Sequence, residues 1–345
     1  MTTLGEAIHN VRLSTGMSQA DLAARAGLTQ ATLSRYESDV RNPDTQTLTT
    51  LAAEMGVAHS LLKSPPTFHG ALALPAHMGR RGSAKATLWR GIQARLNIIR
   101  IHVHRLADVA DLRFDYAVPR LDPSALSASE AARRVRTQWD IPPGPIEGIV
   151  RSMEDAGCFI ASFDFGSQRA DALSQWVETY PVVAINSGAP AERNRLTLAH
   201  ELGHLVLHSS PESVSNDVER EAADFAAAFL LPERDVRDGF NDMSLTALHD
   251  LKMEWGVPMR TLVERAHTLR VIDDRRLNSI HKMLSRRGWL SAEPPGDVSR
   301  LEEPLLLDRV VAALEAKGYS EYAVAAIGGF SDVTSASRVL PLERP

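Results

Sequence analysis

The stretch LTLAHELGHLVLH, from Leu196 to His208, constrains this chain more than any other part of its sequence. It reads His-Glu-x-x-His within an apolar, helix-forming run, which predicts a buried α-helix. Residues four apart lie one turn above each other on a helix, so His200 and His204 can direct ring nitrogens to one zinc ion. The stretch therefore predicts a metal site inside the fold.

Glu201 follows the first histidine and would lie beside the metal. A carboxylate there can take a proton from a zinc-bound water, which is the chemistry of peptide-bond hydrolysis by a metalloprotease. Tyr180 and His208 are candidate donors to the tetrahedral oxyanion. The alternative is a pair of core histidines satisfied by ordinary hydrogen bonds. Two histidines and a glutamate are costly in apolar surroundings unless something satisfies them, which favours the zinc site.

A catalytic zinc site needs a third protein ligand and an open position for water. His208 lies about 12 Å along a continuous helix from His200, which is too far for one ion. Leu207 and Ser210 stand where the long metzincin pattern has glycine and histidine, so that class is excluded. The third ligand is therefore expected to be a glutamate on a second helix.

The segment NDVEREAADFAAAFLLP predicts that second helix, which Pro232 ends. Glu219 and Glu221 compete as ligands. Glu221 falls on the edge of the apolar stripe, and Asp224 follows one turn later, where its carboxylate can orient a metal-bound histidine. We therefore predict Glu221 as the ligand and Asp224 as the residue behind it, with Glu219 as the second choice. The alternative is that these acids face solvent.

These two segments together resemble the ImmA/IrrE family of bacterial metallopeptidases. Upstream, SQWVETYPVVAIN is similar to the strand and loop that precede the motif helix in that family, and AARRVRTQWDIPPGPIEGIVRSMEDAGCFIASFD is similar to the helical region before it. The resemblance covers residues 128 to 235. It implies a gluzincin-like zinc site and specific proteolysis of a regulatory protein, often a helix-turn-helix repressor, rather than general digestion.

The first sixty-odd residues predict a separate domain. From Leu4 to Leu62 short amphipathic segments alternate with turn signals, among them Gly27 and an Asn-Pro turn. Five short helices fit, with Ser18 capping the second and Thr29 capping the third. This pattern resembles the Xre/Cro-type helix-turn-helix domain over its whole length.

In that geometry the third helix enters the major groove of DNA with its early residues against base edges. The family's pattern directs Gln30, Ala31 and Arg35 to the bases, where glutamine suits adenine and arginine suits guanine. Three further residues are expected at phosphates or near the DNA backbone: Gln19, Arg41 and Asn42. Acidic residues balance basic ones here, so weak, conditional or dimer-assisted binding fits, with a homodimer as the candidate assembly. The alternative is a helical domain used only for protein contacts.

Composition agrees with an intracellular regulator. The 345-residue chain has room for two or three domains, and its 44% hydrophobic share suffices for ordinary cores. The lone Cys158 cannot form an internal disulfide and predicts a buried strand residue in a reducing compartment. No signal peptide or membrane-spanning stretch is evident, so a cytoplasmic protein without a membrane partner is expected. The net charge of −5 argues against indiscriminate nucleic-acid binding. The arginines between Arg80 and Arg120 either bind phosphate or an acidic partner, or solvate a helical connector.

We therefore expect an α+β protein with four parts. An all-α five-helix helix-turn-helix domain spans 1–65, a helical connector 66–127, a mainly helical gluzincin-like zinc peptidase core with a small β-sheet 128–240, and a helical region 241–345. The expected function is a DNA-binding regulator with zinc metallo-endopeptidase activity toward a regulatory protein. The alternative is a transcriptional regulator whose zincin-like domain senses a ligand or partner without proteolysis. The intact Glu201 favours the enzyme, since a pure sensor has no need of it.

Overall fold

The computed structural model describes residues 2–63, 67, 85–177, 180–209, 217–290, 293–294 and 302–340. Most of the segment that joins the first domain to the rest, including Arg80 and Arg81 of the predicted basic cluster, lies outside the described residues. The chain forms two compact units. Unit 1 comprises residues 1–114, 177–182 and 304–345, and unit 2 comprises residues 115–176 and 183–303.

Unit 1 begins with five short helices, as the sequence predicts: α1 Leu4–Ser14, α2 Gln19–Arg25, α3 Gln30–Glu37, α4 Thr45–Glu54 and α5 His59–Lys63. Ser18 and Asp21 form a capping box at the start of α2, and Thr29 caps α3. Each helix contributes to one core, which contains Ile8, Leu22, Leu33, Leu51 and Leu61. A sixth and longer helix, α6 Ala86–Ala110, packs along α1.

Unit 2 begins with α7 Ala128–Gln138 and α8 Ile149–Asp155. A small three-stranded mixed sheet follows along the chain, and the end of its second strand and the start of its third are grouped with unit 1. Its strands are β1 Phe159–Phe163, β2 Ala172–Val177 and β3 Tyr180–Asn186, in the order β1-β3-β2. Cys158 is buried immediately before β1, and burial raises the pKa of its thiol. The β2 strand lies at one edge of the sheet and carries a residue of the site described below.

The site of unit 2 is built on two packed helices, α9 Ala191–Leu207 and α10 Val218–Leu230. Pro232 follows α10 and ends it, as predicted from the sequence. The later elements of unit 2 are α11 Glu233–Val236, a 3₁₀ turn at Arg237–Asn241, α12 Leu245–Trp255, α13 Met259–Thr268 and α14 Asp274–Arg286. Side chains of α9 and α10, among them Leu202 and Phe225, are buried in the core of unit 2.

The chain then returns to unit 1 with α15 Leu306–Ala316, α16 Glu321–Gly328 and α17 Val333–Ala336. The turn after α16 pairs with the backbone after α4: the amide of Ala58 donates to the carbonyl of Gly329 at 2.8 Å, and the amide of Ser331 donates to Gly56 at 3.2 Å. His102 of α6 lies against the same turn. Among the described helices, none combines the length and apolar character needed to cross a membrane. The α+β fold class is confirmed.

Candidate metal centre

The motif helix α9 lies in the interior of unit 2. Its residues from Leu198 to Leu207 are buried except for His200, as the apolar run predicts. The side chain of His204 is fully buried, and that of His200 is 19% exposed. The Nε2 atoms of the two histidines face each other at 3.1 Å, a distance that lets both reach one ion.

Gly203, in the middle of the motif, lets α10 approach α9 closely. A Cβ atom at this position would lie 3.1 Å from the Cα of Ala222 and 3.2 Å from the Cβ of Phe225. This approach brings the first turn of α10 to the two histidines. The Glu219 carboxylate then lies 3.4 Å from His200 Nε2 through one oxygen and 3.6 Å from His204 Nε2 through the other.

These three side chains fit a zinc ion. Their ligand atoms lie within 4.8 Å of one another. Tetrahedral bonds of about 2.0–2.1 Å place ligand atoms about 3.3 Å apart. The observed separations of 3.1, 3.4 and 3.6 Å agree with that value. Two imidazole nitrogens and one carboxylate oxygen form a donor set that zinc accepts, and three such ligands leave the fourth tetrahedral position to water or substrate.

The geometry favours Glu219, the second choice from the sequence, over Glu221. Glu221 Oε2 lies 2.8 Å from His208 Nε2, whereas the cluster at the paired nitrogens contains Glu219. Side chains two residues apart point about 200° apart around a helix, so the two glutamates cannot face one ion. The rotation of α10 about its own axis decides between them, and packing against Gly203 sets that rotation.

Asp224 has no hydrogen bond to His200 or His204 in the part of the chain that the structure describes. It is exposed, and together with His200 and Arg265 it lines a cavity of about 170 Å³ beside the site. The structure therefore gives Asp224 no contact through which it could orient a metal-bound histidine, contrary to the expectation from its spacing.

Glu201 is 1% exposed, and its carboxylate has a partner that sequence reasoning missed. The hydroxyl of Ser174, on β2, donates to Glu201 Oε2 at 2.6 Å. The indole nitrogen of Trp176, two residues further along the strand, donates to the carbonyl of Leu205 at 2.8 Å, which ties β2 to α9. The period of two along a strand places Ser174 and Trp176 on the same face. Strand pairing and helix packing are long-range, so no local signal indicates this contact.

The two candidate oxyanion donors have different surroundings. His208 ends α9, and its ring lies between His204 and Glu221. The ring of Tyr180 packs edge-on against Phe114 with centroids 5.7 Å apart, and burial raises the pKa of its phenol. The oxyanion donor stays a prediction.

Most of the residues predicted to contact DNA are exposed. Gln30, Ala31 and Arg35 lie on the outer side of α3, while Leu33 and Tyr36 bury the other side in the core of the domain. Two more exposed residues follow α3: Arg41 and Asn42. This exposure is what a reading helix requires, and the contacts with DNA stay predictions.

Gln19 is half-buried, and its Nε2 donates to Glu37 Oε2 at 3.0 Å. Glu37 also accepts from Arg12 Nε at 2.5 Å and lies 2.9 Å from His9 Nδ1. Burial alone would raise the pKa of Glu37, but these hydrogen bonds lower it to about 2. The amide nitrogen of Gln19 is therefore engaged inside the domain, and its predicted phosphate contact remains untested.

Fold and family matches together define a helix-turn-helix protein that carries a peptidase-type domain. Residues 8–62 match the helix-turn-helix family, and residues 153–267 match the peptidase family described as the IrrE N-terminal-like domain. No curated protein matches the chain. The resemblance to ImmA/IrrE metallopeptidases with an Xre-type domain is thereby confirmed for the two matched segments.

Proposed function

We propose that this chain is a cytoplasmic zinc metallo-endopeptidase that makes a site-specific cut in a regulatory protein, in particular a helix-turn-helix repressor. Its own helix-turn-helix domain binds DNA. The supporting observation is the convergence of His200, His204 and Glu219 beside the buried carboxylate of Glu201. The match to a peptidase family supports the same chemistry. The substrate class follows from the resemblance to ImmA/IrrE proteins.

In this proposal each residue of the site has one role. When His200, His204 and Glu219 hold it, zinc supplies Lewis-acid chemistry by polarising the scissile carbonyl and lowering the pKa of water. Glu201 takes the proton of the attacking water on its carboxylate and later passes it to the leaving amine. Ser174 holds Oε2 of that carboxylate and so fixes its direction.

Metal analysis of purified variants tests the ligand set. Wild-type protein is expected to bind about one zinc per chain. Glu219→Ala removes a ligand and is expected to lose the metal, whereas Asp224→Ala, an acidic control on the same helix, should retain it. Full zinc content in Glu219→Ala would contradict the assignment.

Co-expression with neighbouring helix-turn-helix proteins tests the reaction. The wild type is expected to produce one specific fragment of a cognate regulator and to leave casein-like unfolded substrates intact. Glu201→Gln should abolish the cut while zinc is retained, because the change removes the base but no ligand. Cleavage by this variant at the wild-type rate would exclude Glu201 as the base. Zinc binding without cleavage of any candidate would instead support the sensor alternative.

A further inference from the structure

Three side chains form a series of contacts that leads outward from the proposed metal centre, in the order His204, His208, Glu221. His204 Nε2 faces the proposed ligand cluster, and its other nitrogen, Nδ1, lies 3.0 Å from His208 Nδ1. On the far side of the His208 ring, Nε2 lies 2.8 Å from Glu221 Oε2. His204 is fully buried, the His208 side chain is 6% exposed and that of Glu221 is 26% exposed. The Glu221 carboxylate is therefore linked to His204 through the ring of His208.

One distribution of the ring protons on His204 and His208 allows His204 to bind a metal through Nε2. A zinc-binding Nε2 needs its lone pair, so the ring proton of His204 must lie on Nδ1. His208 Nδ1 can accept that proton when the His208 ring carries its own proton on Nε2. There it is donated to the Glu221 carboxylate, which accepts but cannot donate when ionised. The reverse order would put a proton on His204 Nε2 and block the ligand.

The backbone conformation explains how His208, four residues after His204, can bring its ring against that of His204. α9 ends at Leu207. His208 follows as its C-cap, with a φ of −118° and a ψ of 25° that leave the helical region, while its amide still donates to the carbonyl of His204. The ring can therefore turn back, and it meets the His204 ring with centroids 5.2 Å apart and planes at 53°. A carboxylate one turn into the next helix then closes the series.

We propose that His208 and Glu221 form a positioning pair that fixes the tautomer and ring orientation of His204. The proposal rests on the proposed function, because a positioning role for this pair requires that His204 is a metal ligand. Neither residue belongs to the proposed ligand cluster of His200, His204 and Glu219. Groups that bond the outer nitrogen of a ligating histidine raise its basicity and hold its ring, and their loss typically lowers metal affinity about 10- to 100-fold.

Zinc affinity of the full chain, measured by chelator competition, tests this pair. His208→Ala and Glu221→Ala are expected to weaken zinc binding about 10- to 100-fold without preventing folding. Glu221→Gln keeps an oxygen that can accept from His208 Nε2 and should recover most of the loss. Asp224→Ala, on the same helix, is the matched control and should bind zinc as the wild type does. Unchanged affinity in folded His208→Ala, or a Glu221→Gln variant as weak as Glu221→Ala, would overturn the proposal.

Imidazole nitrogen NMR of the metal-free protein gives a second readout, which a merely structural role would not move. His204 is expected as the Nδ1–H tautomer with a slowly exchanging proton, and that signal should be lost in His208→Ala while the fold is retained. The Nε2–H tautomer in the wild type would overturn the proposal. A wild type that binds no zinc would refute the metal centre itself, and the tautomer would still be read, so the two failures are distinguishable.

Discussion

The hydroxyl of Ser174 is the contact through which β2 acts on the proposed base. Hydrogen bonds to a charged group contribute about 1.5–3 kcal/mol, so we predict that Ser174→Ala lowers kcat at least tenfold while zinc content stays unchanged. Ser152→Ala is the matched control, because it removes a serine hydroxyl of the same unit that donates only to the carbonyl of Gly148. Cleavage kinetics and metal analysis on both variants make the test, and equal kcat values would show that Ser174 does not hold the base.

Arg35 is the exposed arginine of α3 from which base recognition is expected. A bidentate arginine–guanine contact contributes about 1–3 kcal/mol, so Arg35→Ala should weaken binding to the preferred duplex by that amount and relax selection at one base position. Arg151→Ala removes the same charge from an 86% exposed arginine of unit 2 and serves as control. Footprinting on the upstream region of the gene and selection from random duplexes provide the readout. No protected site in either would reduce the domain to protein contacts.

The sequence predicted the paired histidines and Glu201, because their spacing within one helix is a local property. It could not decide between Glu219 and Glu221. A helical wheel fixes the angle between two residues of α10 but not which of them faces α9. That depends on where Gly203 and Ala222 meet, and no local pattern records this contact.

At the scale of elements, the spacing of α9 and α10 depends on Gly203. A methyl group there must displace α10 backbone, so we predict that Gly203→Ala destabilises the protein by about 1–3 kcal/mol and weakens zinc binding as Glu219 moves away. Gly91→Ala is the matched control, since the nearest atom to its Cβ is the carbonyl oxygen of Leu13 at 4.0 Å. There the change should be neutral or stabilising by up to about 1 kcal/mol. Denaturant unfolding and zinc titration distinguish the two glycines, and identical behaviour would contradict the packing argument.

The elements of the first domain were predictable because their signals are short. Ser18 with Asp21, and Thr29, mark the starts of α2 and α3 within a few residues of chain. The sheet was foreseen only as a small one, through the resemblance of SQWVETYPVVAIN to a strand and loop. The order β1-β3-β2 pairs β1 with β3 rather than with the strand that follows it in the chain, and only the folded chain shows that β2 is the edge strand that contacts Glu201.

At the scale of the whole molecule, unit 1 is completed by the end of the chain. His102 of α6 is buried, its Nδ1–H donates to the carbonyl of Gly328 at 2.6 Å, and its ring stacks on Phe330 at 3.8 Å. The sequence predicts one helical region over residues 241–345, yet residues 304–345 belong to the unit of the helix-turn-helix domain. The amphipathic pattern of short helices such as α15 and α16 does not show which element they pack against. The sequence therefore could not predict that residues 304–345 belong to unit 1.

Burial of His102 makes the stability of unit 1 depend on pH. Burial lowers the pKa of His102 to about 4 from 6.5, because the charged ring would be desolvated. Below pH 6.5 the unfolded chain takes up a proton that the folded chain refuses, so stability should fall by up to about 3 kcal/mol between pH 6.5 and pH 4. Below pH 4 this contribution should change no further.

Hydrogen exchange of the α6 and α16 amides across this pH range measures the effect. His102→Asn keeps an N–H donor for Gly328 but does not titrate, so its pH dependence in this range should be flatter than that of the wild type. The same slope in both proteins would show that other groups cause the loss.

The return of residues 304–340 to unit 1 also orders events during synthesis. A ribosome makes the helix-turn-helix segment first and the whole of unit 2 next, and only then the turn that pairs with Gly56 and Ala58. The last part of unit 1 is therefore made only after unit 2. A nascent chain interrupted after residue 303 would contain the residues of the proposed metal centre, whereas its unit 1 would lack α15, α16 and α17.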